Sequence, residues 1–141
     1  MNDFEEFLRK GIVKKQSPDK ARSKNLMSEA NRKFEQIKRV VSKIGVDNQN
    51  SNDIIEDCYD VILGLIRAKM FLKGFGSSGL GAHEAEVSFL KKLKFEEYEI
   101  EFINRLRCFR NGILYYGKRF DKEFADKVWT FLNKIYFKLV M

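Results

Sequence analysis

Apolar residues recur at helical spacing along most of this chain, and that periodicity constrains the fold more than any other feature. Between Ser17 and Gly45 one stripe consists of Met27, Ala30, Phe34, Ile37, Val41 and Ile44. Residues three or four positions apart share one face of a helix, so the stripe predicts a long amphipathic helix. Ser17 is the predicted N-cap, Pro18 the first helical residue and Gly45 the stop.

The same pattern continues to the end of the chain. Residues 53–73 carry apolar side chains on two adjoining stripes, which is typical of a helix in the centre of a bundle. Further helices are predicted at residues 82–94, 96–118 and 121–140, the last with Asp121 as N-cap, and a short frayed helix before residue 11. The predicted fold is all-α, an antiparallel bundle of four long or medium helices plus shorter ones. Residues 1–17 are interpreted as a short helix and linker, and residues 18–141 as a single helical-bundle domain.

Composition narrows the class of protein. A chain of 141 residues with 44% hydrophobic residues can bury one sizeable core. No apolar run approaches the roughly 18 residues of a membrane span, and the start "MNDFEEFLRK" lacks the pattern of a signal peptide. We therefore expect a cytoplasmic protein that does not bind a membrane. The net charge of +7 is compatible with a partner that carries phosphate, such as RNA or a nucleotide, although the charges are spread along the chain.

Common catalytic and cofactor motifs are missing from the sequence. Cys58 and Cys108 are far apart and are interpreted as small core residues rather than ligands. Gly74, Gly76 and Gly79 satisfy G-x-G-x-x-G, but a predicted helix rather than a strand precedes them, so the match is interpreted as a helix end followed by a mobile loop. We expect no metal and no cofactor.

The stretch "RCFRNGILYYGK", residues 107–118, combines polar and aromatic side chains at one place. Its Asn-Gly pair is a hairpin signal, yet the apolar positions continue at helical spacing across it, and "ILYY" lacks the alternation of a strand. The sequence therefore predicts a helix with its core stripe at Phe102, Leu106, Phe109, Ile113, Tyr116 and Phe120. The opposite side, an arc of roughly 140°, carries Arg107, Arg110, Asn111, Tyr115 and Lys118.

That polar side has two interpretations. It is either an ordinary solvated face or a site for a phosphate-bearing ligand. The guanidinium fork suits phosphate, an asparagine amide can position an oxygen, and a tyrosine can stack on a base or donate its hydroxyl. The residues alone leave these alternatives open.

The segment resembles the R-N-x-x-x-H or R-N-x-x-x-Y-Y-G signature of the HEPN family. Arg110-Asn111 is followed by three residues and then by Tyr115-Tyr116-Gly117, and "LIRAKMFLKGFGSSGLGAHEAEVSFLKKL" is similar to the family's central helix, histidine-bearing loop and short helix. The resemblance covers residues 20–140. It implies an all-α bundle that dimerises, with the signature helices of two subunits flanking a shared cleft. Many such domains are metal-independent ribonucleases, and some are toxins encoded beside a small nucleotidyltransferase.

The resemblance also implies roles for individual residues. Arg110 matches the signature arginine and Asn111 the polar residue after it, whereas Tyr115 stands where the histidine of R-x4-H is expected. A phenol stays protonated near pH 7 and is a poor general base, whereas imidazole can accept and return a proton. His83, the only histidine of the chain, is a possible substitute if its loop approaches the signature helix.

Three functions follow as hypotheses. The first is a homodimer that binds nucleotide or RNA phosphate through Arg107, Arg110 and Lys118, as one component of a toxin–antitoxin-type pair with a nucleotidyltransferase. The second is an active ribonuclease that uses Arg110, Asn111 and Tyr115, with His83 as a further catalytic candidate. The third is a structural dimerisation module. Aromatic residues outside the core stripe of the last helix, namely Trp129, Tyr136 and Phe137, are interpreted as dimer surface.

Overall fold

The computed structural model describes residues 3–141 and confirms the predicted all-α bundle. Its helices are α1 (Phe4–Arg9), α2 (Lys20–Lys43), α3 (Ser51–Leu72), α4 (Ala82–Ser88), α5 (Glu97–Tyr116) and α6 (Lys122–Val140). A turn of 3₁₀ helix at Phe89–Lys91 follows α4. Two short strands complete the fold, β1 (Val13–Lys15) and β2 (Phe75–Ser77).

Helix α3 lies in the centre of the bundle, as its two apolar stripes predicted. It packs against α2, α5 and α6. Side chains on more than one of its faces are completely buried, among them Ile55, Tyr59, Ile62, Leu65 and Ile66. Because α3 is surrounded, the hydroxyl of Tyr59 on it is enclosed by the neighbouring helices.

The two-stranded antiparallel sheet was not predicted. Val13 lies opposite Ser77 and Lys15 opposite Phe75. The glycine-rich segment that we interpreted as a mobile loop therefore contains a paired strand, and so does the segment interpreted as a linker. Strands of three residues are too short to show alternation, so the sequence pattern does not reveal them.

The start of α2 differs from the prediction by a few residues. Asp19, rather than Ser17, is the N-cap, and its carboxylate accepts a hydrogen bond from the backbone N–H of Arg22 at 3.0 Å. The Gln16 N–H donates to the Gly74 carbonyl, which holds the preceding chain against the end of α3. At α6 the predicted cap is confirmed, since the Asp121 carboxylate accepts from the Phe124 N–H at 2.9 Å.

Helix α5 runs unbroken through Asn111 and Gly112, so the helical interpretation is confirmed and the hairpin signal was false. The helix ends at Gly117, whose φ of 63° suits glycine at a left-handed cap. Tyr116 was predicted in the core stripe, but its side chain is 79% exposed because the chain turns away at this point.

One prediction about a core residue was wrong, and two of the aromatic residues interpreted as dimer surface have contacts within the chain. Cys58 is buried as expected, but Cys108 is exposed. Trp129 and Tyr136 pack within the chain on Phe34, at ring-centroid distances of 5.4 and 3.9 Å, so they belong to the contact between α6 and α2. Of the three aromatics predicted as dimer surface, Phe137 is the exposed one.

Candidate functional site

Tyr59, on the central helix, is the point at which residues from three helices meet. Its side chain is completely buried. The guanidinium carbon of Arg110, on α5, lies 5.5 Å from the Tyr59 ring centroid. The ring of His83, on α4, is 6.4 Å away between centroids. The fold thus brings His83, the only histidine, and Arg110 close to one aromatic side chain.

Two further arginines lie near this point. Arg67 and Arg107, together with Arg110, are close enough to His83 and Tyr59 to influence the pKa of both groups. We call Arg67, His83, Arg107 and Arg110 the basic cluster. Its members lie on α3, α4 and α5, and Tyr59 lies among them.

Arg67 is held by a nearly buried carboxylate. Its Nε and Nη2 donate to the two oxygens of Glu86 at 2.5 and 3.1 Å, in the bidentate geometry that a guanidinium fork favours. The Ser77 hydroxyl, on β2, also donates to Glu86 at 3.0 Å. Glu86 is only 2% exposed, so this network fixes Arg67 and joins α3, α4 and β2.

The other two arginines are less fully neutralised. Arg110 Nη2 lies 3.6 Å from Asp60 Oδ1, and its buried Nε has no hydrogen-bond partner among residues 3–141. The Nε of Arg107 donates to the neutral amide oxygen of Asn104 at 3.1 Å. Within the described part of the chain, no carboxylate lies within 4 Å of Arg107. The cluster therefore has positive charge available for an anion.

The surroundings of His83 keep its imidazole neutral at pH 7. Burial lowers the pKa of His83; the Glu86 carboxylate raises it, whereas the three arginines of the cluster lower it further. A neutral imidazole can accept a proton, which an imidazolium cannot.

The hydroxyl of Tyr59 has the opposite character. Burial raises the pKa of Tyr59, and Glu86 raises it further against the influence of the arginines. The phenol stays protonated and can serve as a hydrogen-bond donor. Its Oη is buried and has no partner among the described residues. A buried polar group without a partner costs free energy, so a ligand or water that satisfied it would be stabilised.

Only some of the predicted site residues are brought together. Arg107, Arg110 and His83 join the cluster. Tyr115 is 74% exposed at the end of α5. The side chain of Lys118 packs beside Gly112 on another side of the helix, and Asn111 is half-buried.

The expectation that Arg110 lies away from the packed side of its helix was wrong. Its side chain is 23% exposed because it packs over Tyr59 and approaches Asp60. Sequence reasoning also missed Tyr59, Arg67 and Glu86. Tyr59 and Arg67 lie on a helix whose apolar stripes indicated burial, but five other charged residues lie on the same helix, so the charge of Arg67 was no distinctive signal.

Replacing Glu86 with alanine is expected to lower the free energy of unfolding by about 2 to 3 kcal/mol, since Arg67 and Ser77 lose a nearly buried partner. Urea denaturation followed by circular dichroism measures the change. Glu84→Ala on the same short helix is the control, with an expected loss of about 0.5 kcal/mol. Equal losses for the two variants would show that the Glu86 network does not stabilise the fold.

The described residues also give information on two other features, metal sites and membrane-spanning helices. Residues 3–141 contain no group of three or more His, Cys, Asp and Glu side chains arranged to hold a metal ion. In the same range no helix is both long and apolar enough to cross a bilayer.

The fold and the cluster together define an all-α bundle with a partly buried, arginine-rich site. Comparison with models of known families, with characterised proteins and with experimentally determined structures found no match.

Proposed function

We propose that this chain is a HEPN-like domain that binds the phosphate of RNA or of a nucleotide at the basic cluster. The observation that carries the proposal is that His83 and Arg110 both lie close to Tyr59, at 6.4 and 5.5 Å from its ring centroid. These two residues come from the segments on which the resemblance rests, the histidine-bearing loop region and the signature helix. Their convergence is what a shared site would require.

The electrostatics of the cluster favour an anion. Arg107 has no carboxylate partner among the described residues, and Arg110 approaches Asp60 only at 3.6 Å. A phosphate accepts bidentate hydrogen bonds from guanidinium groups and relieves the repulsion among like charges.

Replacing Arg107 with alanine tests this proposal. Binding of a labelled single-stranded RNA is measured by fluorescence anisotropy at several salt concentrations. The steepness of log K against log salt concentration should fall by about 0.7, because one phosphate contact is removed. Folding should change by less than about 0.5 kcal/mol, because Arg107 has a neutral hydrogen-bond partner and is part-exposed.

The matched control is Arg105→Ala, which removes the same charge from an exposed position of α5. Its salt slope should equal that of the wild type. Failure of the wild-type protein to bind RNA or nucleotide at low salt would contradict the proposal, as would identical slopes for all three proteins.

A second candidate function is metal-independent cleavage of RNA, and the neutral state of His83 favours it. A base that accepts the proton of a ribose 2′-hydroxyl must be unprotonated near pH 7, and the lowered pKa of His83 meets that requirement. Arg110 and Tyr59 would supply the donors that stabilise a phosphate. In this hypothesis His83 takes the role that the resemblance assigns to the histidine at the position of Tyr115.

A homodimer is predicted as the functional assembly. Trp129 and Tyr136 no longer support this prediction, but Leu114, Tyr115 and Tyr116 form an exposed apolar segment at the end of the signature helix, 48–79% exposed. Light scattering at tens of micromolar should give twice the chain mass of 16.6 kDa. A monomeric mass would contradict the prediction.

A nucleotidyltransferase partner remains a prediction of the resemblance.

A further inference from the structure

A cavity of about 400 Å³ opens next to the basic cluster. It is bounded by the first turns of α2, the last turns of α3, strand β2 and the start of α4. We propose that this cavity receives the nucleobase of a nucleotide whose phosphate binds at the basic cluster. The inference rests on the proposed function and adds to it the place of the base.

The cavity adjoins one side of the cluster. His83 and Arg67 line it, and the ring of His83 is 6.4 Å from that of Tyr59, over which Arg110 packs. A ligand in the cavity can therefore contact Arg67 and His83 directly, and its phosphate reaches Arg107 and Arg110 by extending past His83, since neither of these arginines lines the cavity. Its volume falls within the roughly 300–1,000 Å³ of small-molecule sites.

One wall of the cavity offers a flat stacking surface. The guanidinium carbon of Arg22 lies 4.3 Å from the centroid of the Phe71 ring. Arg22 is an exposed residue, and no carboxylate of residues 3–141 lies within 4 Å of it. Bases stack on guanidinium planes and on aromatic rings, while Leu26 and Met70 add apolar surface beside this pair.

Another wall offers hydrogen-bonding groups. The Gln16 N–H donates to the Gly74 carbonyl, and the Ser78 N–H donates to the Ile12 carbonyl. These two bonds show which residues of the two strands are hydrogen-bonded to each other and which lie between them. In an antiparallel pair the intervening residues direct their backbone N–H and C=O groups away from the partner strand. Phe75 and Ser77 are the intervening residues of β2, and both line the cavity.

This combination suits a nucleobase better than a purely apolar ligand. A base has two apolar faces and an edge of donors and acceptors, and the cavity pairs a stacking wall with an open strand edge. The buried Glu86 carboxylate, which also lines the cavity, adds an acceptor beside Arg67. A lipid tail would leave these polar groups without partners.

Titration calorimetry with the four nucleoside 5′-monophosphates and with ribose 5-phosphate tests the inference. The best nucleotide should bind at least tenfold more tightly than ribose 5-phosphate, which has the phosphate and sugar but no base. Arg22→Ala should reduce this advantage to less than threefold and leave the affinity for ribose 5-phosphate unchanged. Arg39→Ala, an exposed arginine further along α2, is the matched control and should keep the full advantage.

Leu26→Trp provides a second variant, since it fills the cavity while the cluster keeps its charges. Equal affinities of wild-type protein for ribose 5-phosphate and all four nucleotides would overturn the base cavity and leave the phosphate site standing. An advantage that survives both Arg22→Ala and Leu26→Trp would also overturn it. If the folded wild-type protein binds none of these phosphates, the proposed function fails together with the inference.

Discussion

Replacing Arg110 with alanine is expected to weaken the binding of RNA or nucleotide by about 10- to 100-fold. A hydrogen bond to a charged group contributes about 1.5 to 3 kcal/mol, and each 1.4 kcal/mol corresponds to a factor of ten. Arg110 stands over Tyr59 and approaches one carboxylate, that of Asp60, at 3.6 Å, so its terminal Nη groups can still pair with a phosphate. Titration calorimetry with a nucleotide and anisotropy with RNA measure the loss.

Two variants separate the role of the forked guanidinium group of Arg110 from that of its charge alone. Arg105→Ala removes one charge from an exposed position of the same helix and should bind like the wild type. Arg110→Lys keeps the charge but loses the fork, so it should restore only part of the affinity.

The same substitution affects stability, in contrast to what the sequence suggested. Arg110 packs over Tyr59 and approaches Asp60, so we expect Arg110→Ala to lower the free energy of unfolding by about 1 kcal/mol. Urea denaturation provides this value, and binding is then compared at concentrations where both proteins are folded. Unchanged affinity in folded Arg110→Ala protein would contradict a phosphate site at this residue.

Replacing His83 with glutamine is expected to reduce RNA cleavage by about 10²- to 10⁴-fold if the protein is a ribonuclease, because general acid–base catalysis contributes factors of that size. RNA binding should change much less, since His83 is neutral at pH 7 and adds no charge to the cluster. Cleavage of a labelled RNA in the presence of a chelator measures the rate.

The pH dependence provides an independent measure of the same role. A general base acts in its neutral form, so the rate should fall as the pH drops through the pKa of His83. Burial lowers that pKa, and the fall should therefore occur below about 6.5, the ordinary value for histidine. A fall centred above this value would contradict His83 as the base.

Tyr115→His distinguishes the two possible positions of a catalytic histidine. The substitution restores R-x4-H, and the exposure of Tyr115 means that the change is tolerated by the fold. A large gain in cleavage would show that the site forms around the end of α5 rather than around His83. No gain, together with a large loss in His83→Gln, would support the buried cluster. No cleavage by any of the three proteins would leave phosphate binding alone as the proposed function.

The periodicity of the sequence was sufficient to determine the helical part of the fold. The apolar stripes of α2 and α3 and the continuous pattern across Asn111 and Gly112 depend on spacing alone, because residues on one helical face recur every three or four positions. The cap at Asp121 could also be predicted from the sequence, because its carboxylate accepts a hydrogen bond from a backbone N–H only three residues later. Such features involve only neighbours in the chain.

The arrangement of the candidate site was decided by the tertiary structure. The sequence indicated Arg107, Arg110 and His83, but it could not indicate that Tyr59 lies among them or that Glu86 fixes Arg67. It placed Tyr115 and Lys118 beside Arg110, whereas the end of α5 leaves Tyr115 in solvent and folds Lys118 against Gly112. A helical wheel gives the direction of a side chain from its own axis. Which helix covers that side chain depends on packing between segments far apart in the chain, and that packing decides its burial, its partners and its pKa.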